Sequence, residues 1–280
     1  MKSTILLVGH GSREQSGNDE IESFANEWRK RRPDDRIEVC FIEFADVTLD
    51  AGMDNAAKGS DRVIVVPLIL GAAAHVKMEI PHHIEDARKR HCNVSFIMTK
   101  HLGATTKVLK ALKAELAKAM LGLDAPDAKN TGVVLLARGS SDKVANGEIA
   151  KMARWLFEES DHEMVDVAFT GITFPKVETV VQRQVACGMK QIIVLPYYLY
   201  TGVLIERIAR QVGRLTQQYP EISFALAKYI GFDTAIYELL DERVSEAIGE
   251  GVDEPKMLEC DGCKYRAFAE EHGFGHHHHH

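Results

Sequence analysis

The stretch STILLVGHGSRE, residues Ser3 to Glu14, decides the fold of this chain. Its apolar run from Ile5 to Val8 is too short for a buried helix and is bounded by a glycine, which predicts a buried parallel strand. Polar residues then lead toward a helix. Open α/β sheets bind ligands at the carboxyl ends of their strands. His10, which lies between two glycines at that end, is therefore expected at an exposed site and not in the core.

The composition is that of an ordinary globular protein. The chain has 280 residues, of which 45% are hydrophobic and 27% are charged, enough for one large domain or two of ordinary size. Its net charge of −7 gives no overall basic field for nucleic acid or an anionic membrane, so neither is expected as a partner. There is no long apolar span and no signal-peptide pattern, which predicts a cytoplasmic protein.

Apolar runs alternate with helical patterns along most of the chain, which predicts βαβ units and parallel sheets with helices on both faces. Predicted strands are Thr4–Gly9, Ile37–Phe44, Arg62–Leu70, Val94–Lys100, Gly132–Ala137, Met164–Phe169, Gln191–Tyr197 and Ser223–Lys228. Predicted helices are Asn18–Arg31, Thr48–Lys58, Met78–Arg90, Thr105–Met120, Val144–Glu159, Val177–Ala186, Val203–Tyr219 and Asp233–Ile248.

The pattern is an internal repeat. ILLVGHGSRE, which starts at Ile5, aligns with VVLLARGSSD from Val133, and DRVIVVPLIL from Asp61 aligns with KQIIVLPYYL from Lys190. The two offsets, 128 and 129 residues, are nearly equal. We therefore predict two homologous α/β halves, residues 1–121 and 131–249, joined by a polar linker and followed by a tail, residues 250–280.

The halves differ where chemistry is expected. His10 aligns with Arg138, and His75 aligns with Leu204, so both histidines are absent from the second half. The loss of one shared function explains both changes at once. We interpret the histidines as a functional pair in a catalytic N-terminal half.

Two imidazoles at one cleft can bind a divalent transition metal ion, and they can also accept protons near neutral pH. Glu79 lies four residues after His75 and can orient the imidazole or attract a cation, although a carboxylate near a helix N-terminus is common. Glu43, predicted at the end of the second strand, has a similar position and is a further candidate metal ligand. Ser12 is either a helix cap or part of an anion site, and no nucleotide-binding loop is present.

Two motifs carry a resemblance to a known family. VGHGSR at the first strand end and VPLILGAAAHVKMEIP around His75 resemble the class II chelatases of modified tetrapyrroles. The chain is most similar to the long form of sirohydrochlorin cobaltochelatase, the CbiX type, from Met1 to about Arg266. The resemblance implies two flavodoxin-like halves across a cleft and the insertion of Co²⁺ into sirohydrochlorin during cobalamin biosynthesis.

The resemblance also assigns roles to residues. It implies that His10 and His75 bind the metal and accept pyrrole protons, so acid is expected to abolish activity. Glu79 stands where the family more often has aspartate. The implied substrate carries eight carboxylates, and its partners in hydrogen bonding and charge compensation are then expected to be Ser12, Arg13, Lys77 and Arg138.

The tail contains Cys260-x-x-Cys263, which resembles the iron–sulfur motif of long-form enzymes. Two cysteines supply half of a four-thiolate cluster, so a second chain is expected to supply the rest in a homodimer. Zinc, a redox disulfide and a free pair remain alternatives. The run His276–His280 is a tag or a native end and is excluded from the catalytic site.

Three other functions remain open. The first, within the same class of enzyme, is a chelatase that inserts iron into sirohydrochlorin for sirohaem. From another class, the protein carries a tetrapyrrole or a metal without catalysis. A phosphoryl transferase that uses His10 is disfavoured because no arginine cluster and no nucleotide loop accompany it.

Overall fold

The computed structural model describes residues 1–71 and 75–249, and for His75 it describes the backbone only. Strands and helices alternate as predicted. The first part contains β1 (Ser3–Gly9), α1 (Gln15–Arg31), β2 (Arg36–Phe41), α2 (Leu49–Ala57), β3 (Arg62–Pro67), a π-helical segment (His75–Glu79), α3 (Ile80–Arg90) and β4 (Ser95–Met98). It is followed by α4 (Thr106–Met120), β5 (Thr131–Ala137), α5 (Lys143–Glu158), β6 (Met164–Phe169), α6 (Val177–Ala186), β7 (Gln191–Pro196), α7 (Val203–Gln218), β8 (Ser223–Leu226) and α8 (Thr234–Ile248).

The strands form two parallel four-stranded sheets of identical topology, with orders β2-β1-β3-β4 and β6-β5-β7-β8. Their registers match as well: Ile5 of β1 is paired with Ile64 of β3, and Val133 of β5 with Ile193 of β7. The predicted fold class, two homologous parallel-sheet halves, is confirmed. No helix in the described ranges is both long enough and apolar enough to cross a bilayer.

Both faces of the first sheet are covered. Leu6, Val8 and Cys40 pack in one cluster with residues of α2 and α3. Ile5 and Leu7, which point to the opposite face, are equally inaccessible to solvent. Burial raises the pKa of the Cys40 thiol, in keeping with a packing role. The continuous apolar runs in the sequence reflect this two-sided cover.

The structure divides into two compact units, and the last helix of each repeat packs in the unit that contains the sheet of the other repeat. Among the described residues, one unit comprises the chain up to Leu102 together with residues 237–249, and the other comprises Gly103–Ile236. In the second unit, α4 packs against β7, β8 and α5. In the first unit, the ring of Tyr237 on α8 stacks on Phe24 of α1, with centroids 4.2 Å apart. The compact units therefore have other boundaries than the sequence repeats, because α4 packs against β7 and β8 of the second unit and α8 packs against α1 of the first.

A polar contact accompanies the packing of α8 on α1. The indole Nε1–H of Trp28 donates to Oδ1 of Asp241 at 2.9 Å, and the guanidinium of Arg32 donates to the same oxygen at 2.9 Å. Burial lowers the pKa of Arg32, but its hydrogen bonds and ion pairs with Asp241 and Asp35 outweigh this and raise it overall. Trp28 is fully buried, so Asp241 satisfies a donor that water does not reach easily.

We expect Asp241→Ala to lower the free energy of unfolding by about 1–3 kcal/mol, because it leaves the buried indole N–H without an acceptor. Asp241→Asn is the matched control, since its Oδ1 still accepts, and it should cost much less. Urea titration followed by tryptophan fluorescence measures both. Equal stability of Asp241→Ala and the unchanged protein would contradict the role given to this contact.

Candidate functional site

His10 follows directly on β1, the strand that lies between β2 and β3. Every residue of β1 after Ser3 is buried, so the strand holds the start of the next loop rigidly. His10 itself is partly exposed at the carboxyl end of the sheet. His10 therefore lies at the predicted edge of the sheet, but it is partly and not fully exposed.

Glu43 is brought against His10 by backbone pairing that continues past the strand ends. The N–H of Ile42 donates to the carbonyl of Gly9 at 3.0 Å, and the N–H of Glu43 donates to the carbonyl of His10 at 3.1 Å. The strand predicted to run to Phe44 ends at Phe41, because the chain turns away after these two bonds. Glu43 thus lies in a loop opposite His10.

The two side chains meet at the edge of the sheet. Nδ1 of His10 lies 3.4 Å from Oε1 of Glu43, and the side chains are 22% and 36% exposed. The same nitrogen lies 3.3 Å from the carbonyl oxygen of Gly11. A carboxylate in this position orients an imidazole and can compensate a positive charge beside it.

Gly11 makes this approach possible. Its φ is +87°, a conformation that favours glycine. A Cβ added at residue 11 would lie 1.7 Å from the carbonyl oxygen of Glu43. A side chain at this position would therefore push the Glu43 loop away from His10.

Asn18 fixes the turn between β1 and α1, and its side chain is buried. It accepts from the N–H of Ser12 at 2.8 Å and donates to the carbonyls of Ser12 at 3.0 Å and Phe44 at 3.4 Å. The Ser12 hydroxyl accepts from the N–H of Glu14 at 3.1 Å. The helix α1 begins at Gln15, and Glu14 is its N-cap residue. Ser12 lies before that position, so it is not the helix cap, which was one of the two roles predicted for it.

The second unit has the same turn with different functional side chains. Asn146 accepts from the N–H of Ser140 at 2.9 Å and donates to its carbonyl at 2.8 Å. The N–H of Gly171 donates to the carbonyl of Arg138 at 3.1 Å, which reproduces the bond between Glu43 and His10. The turn is thus a shared scaffold, and the repeat alignment of Asn18 with Asn146 was the signal that sequence analysis missed.

The remaining residues of the predicted site lie on the segment that follows β3. His75 is the first residue and Glu79 the last of a π-helical segment, a rare form that is frequent at functional sites. Lys77 and Glu79 are partly buried. The predicted helix Met78–Arg90 begins at Ile80 as an α-helix, with this segment before it.

The structure does not assemble a metal site from the described side chains, and it does not describe some of the predicted site residues. Among the side chains it describes, no group of three histidine, cysteine or acidic residues could hold a metal ion. The side chain of His75, the pair Cys260 and Cys263, and the run His276–His280 lie outside the described part of the chain. Arg13 is exposed near the first turn, and Arg138 is exposed in the second unit at the position equivalent to His10.

Comparison with known proteins gives consistent matches. The CbiX family model matches residues 4–119 and 132–247. The chain is 37% identical to a sirohydrochlorin cobaltochelatase of Priestia megaterium over 97% of its length and 87% of the relative's. It is 30% identical to a sirohydrochlorin ferrochelatase of Bacillus subtilis over 96% of this chain and all of that one. The solved structure of SirB from Bacillus subtilis with Fe³⁺ superposes with a TM-score of 0.77 at 30% identity, covering 88% of this chain and 96% of that chain.

We expect Gly11→Ala to destabilise the protein more than Gly59→Ala, the matched control. Gly59 also has a positive φ, +73°, but an added Cβ there meets nothing within 4 Å. Gly59→Ala should cost about 1 kcal/mol for the backbone conformation alone. Gly11→Ala should cost about 2 kcal/mol more, because the Glu43 loop must move. Equal losses in urea titration would show that the close approach is not a constraint.

Proposed function

The chain belongs to the CbiX family, and from this premise we propose that it inserts a divalent metal ion, Co²⁺ first, into sirohydrochlorin. Its greater identity to the cobaltochelatase than to the ferrochelatase supports cobalt, with Fe²⁺ as the second candidate. The product with cobalt would lead to cobalamin and the product with iron to sirohaem.

The observation that carries this proposal is the contact between His10 and Glu43 at the carboxyl end of β1. The second unit has the same loop with Arg138 and Gly171 at these positions, so nothing in the scaffold requires the pair. A residue pair that the fold does not need, at the edge where such sheets bind ligands, supports a chemical role.

The reaction exchanges one divalent ion for two protons. The pyrrole N–H groups of the macrocycle lose two protons as the metal ion binds to the ring nitrogens, so a metal ligand and a proton acceptor are both needed. Neutral imidazole serves as either. Because Nδ1 of His10 faces Glu43, we assign the other ring nitrogen, Nε2, to the metal ion. His75 is proposed as the second imidazole.

Carboxylates have two proposed roles around the histidines. Glu43 orients His10, compensates the charge of the ion or of the protonated imidazole, and is a candidate direct ligand of the metal ion. Glu79, at the end of the π-helical segment that begins with His75, is proposed to assist the second imidazole.

The substrate's carboxylates require positive groups and hydrogen-bond donors. Arg13 is exposed, and no carboxylate of the described residues pairs with it. The Ser12 hydroxyl accepts from the N–H of Glu14, which leaves its own hydrogen for the substrate. Lys77 and Arg138 are the other proposed contacts.

We expect His10→Ala and His75→Ala each to reduce the rate of metal insertion by about 100-fold or more, because each removes a metal ligand and proton acceptor. The assay follows the absorbance of sirohydrochlorin with Co²⁺, Fe²⁺ or Ni²⁺ under anaerobic conditions. His82→Ala is the matched control, since His82 is an exposed histidine on α3 that pairs with Asp86.

The same assay separates the alternatives. Faster insertion of Fe²⁺ than of Co²⁺ would favour ferrochelatase activity as the function of this chain. Binding of sirohydrochlorin or Co²⁺ without faster metallation would indicate a carrier. Near-native rates in both histidine variants would refute the residue assignment.

The tail is the subject of a separate proposal: Cys260 and Cys263 supply two of the four thiolates of an iron–sulfur cluster shared between two copies of the chain. No step of metal insertion is assigned to it. We expect protein purified anaerobically to be coloured, to contain iron and sulfide, and to be dimeric, whereas Cys260→Ala should be colourless and monomeric. Colourless, iron-free, monomeric native protein with full activity would contradict this proposal.

A further inference from the structure

We propose that Phe44, braced by Arg13, is an aromatic platform on which the flat macrocycle of the substrate stacks. This inference rests on the proposed function and adds to it a substrate-binding residue. Phe44 follows Glu43 directly in the chain, so its ring is carried by the loop that faces His10.

Phe44 has an unfavourable backbone conformation. Its φ of +58° is the one positive φ at a residue other than glycine within the described ranges. A bulky residue in the left-handed region is strained, and such strain persists where the surrounding structure enforces it. Two contacts enforce it here: the side chain of Asn18 donates to the carbonyl of Phe44 at 3.4 Å, and the N–H of Glu43 is held by the carbonyl of His10.

The same side chain is also exposed. Phe44 retains 47% of its accessible surface, although burial of a large apolar side chain stabilises the folded protein. Glycine would suit both the backbone conformation and the exposure better. An aromatic residue that is disfavoured on both counts is most simply explained by a ligand that covers its ring.

Arg13 supports one side of this ring. Its guanidinium carbon lies 4.7 Å from the centroid of Phe44, within the range of a cation–π contact. Arg13 is exposed, and within the described part of the chain no ion pair with a carboxylate involves its guanidinium. The pair thus offers an aromatic surface beside an uncompensated positive charge, which suits a flat conjugated ring that carries carboxylates at its edge.

The second unit provides an internal comparison. At the equivalent positions it has Ile172 for Phe44 and Ser141 for Arg13. Ile172 is 59% exposed, but its φ is not positive. The strain, the aromatic ring and the braced cation therefore occur together in the unit that also contains His10 and Glu43, which associates the platform with that site.

The test is Phe44→Gly, which removes the ring and suits the backbone conformation. We expect sirohydrochlorin, titrated without metal and followed by absorbance, to bind about tenfold more weakly. In Co²⁺ insertion KM should rise while kcat stays within about twofold of the native value. The midpoint of thermal unfolding should not fall, because glycine relieves the strain. Phe44→Tyr should restore binding.

Ile172→Gly is the matched control and should leave sirohydrochlorin affinity unchanged. Unchanged affinity in Phe44→Gly, or an equal loss in Ile172→Gly, would overturn the proposal. So would a fall in kcat and in thermal stability without a change in affinity, which would indicate a purely structural residue. If the native protein neither binds nor metallates sirohydrochlorin, the proposed function itself fails, and that outcome is distinct from a failure of the platform.

Discussion

The hydrogen bond from the N–H of Glu43 to the carbonyl of His10 is the contact on which the site depends. It joins the loop after β2 to the residue after β1, and it forms because residue 11 has no Cβ to displace the carbonyl of Glu43. Parallel pairing is thereby extended beyond the two strands, and an imidazole and a carboxylate from distant parts of the sequence meet at 3.4 Å. Asn18 holds the same loop from the other side through the carbonyl of Phe44.

The repeat separates what the fold needs from what the chemistry needs. Both units keep the glycine with positive φ, the asparagine that clamps the turn, and the backbone bond between the two loops. The first unit adds His10 and Glu43, where the second has Arg138 and Gly171. Because the same turn and the same backbone bond carry both sets, stability does not select the imidazole or the carboxylate, and their presence in one unit is best explained by the reaction proposed for the chain.

The compact units and the sequence repeats have different boundaries for a physical reason. A helix that follows the last strand of a small sheet must bury its apolar face, and in each repeat that face packs in the other unit. Periodicity shows that α4 and α8 are amphipathic, but not which sheet they cover. The stacking of Phe24 on Tyr237 and the contact of Trp28 with Asp241 join residues more than 200 positions apart, which no local pattern reveals.

The sequence by itself determined the alternation of strands and helices and the duplication, and it predicted His10 and His75 as the functional pair. These follow from local properties, namely continuous apolar runs, glycine and proline positions, and residue differences between aligned repeats. Only the tertiary structure decided that Glu43 faces His10 and that Phe44 is strained and exposed beside Arg13. It also decided that α4 packs in the unit of the second repeat and α8 in the unit of the first. These depend on how loops from separate strands approach one another, and that approach is set by backbone hydrogen bonds and close packing between residues far apart in the chain.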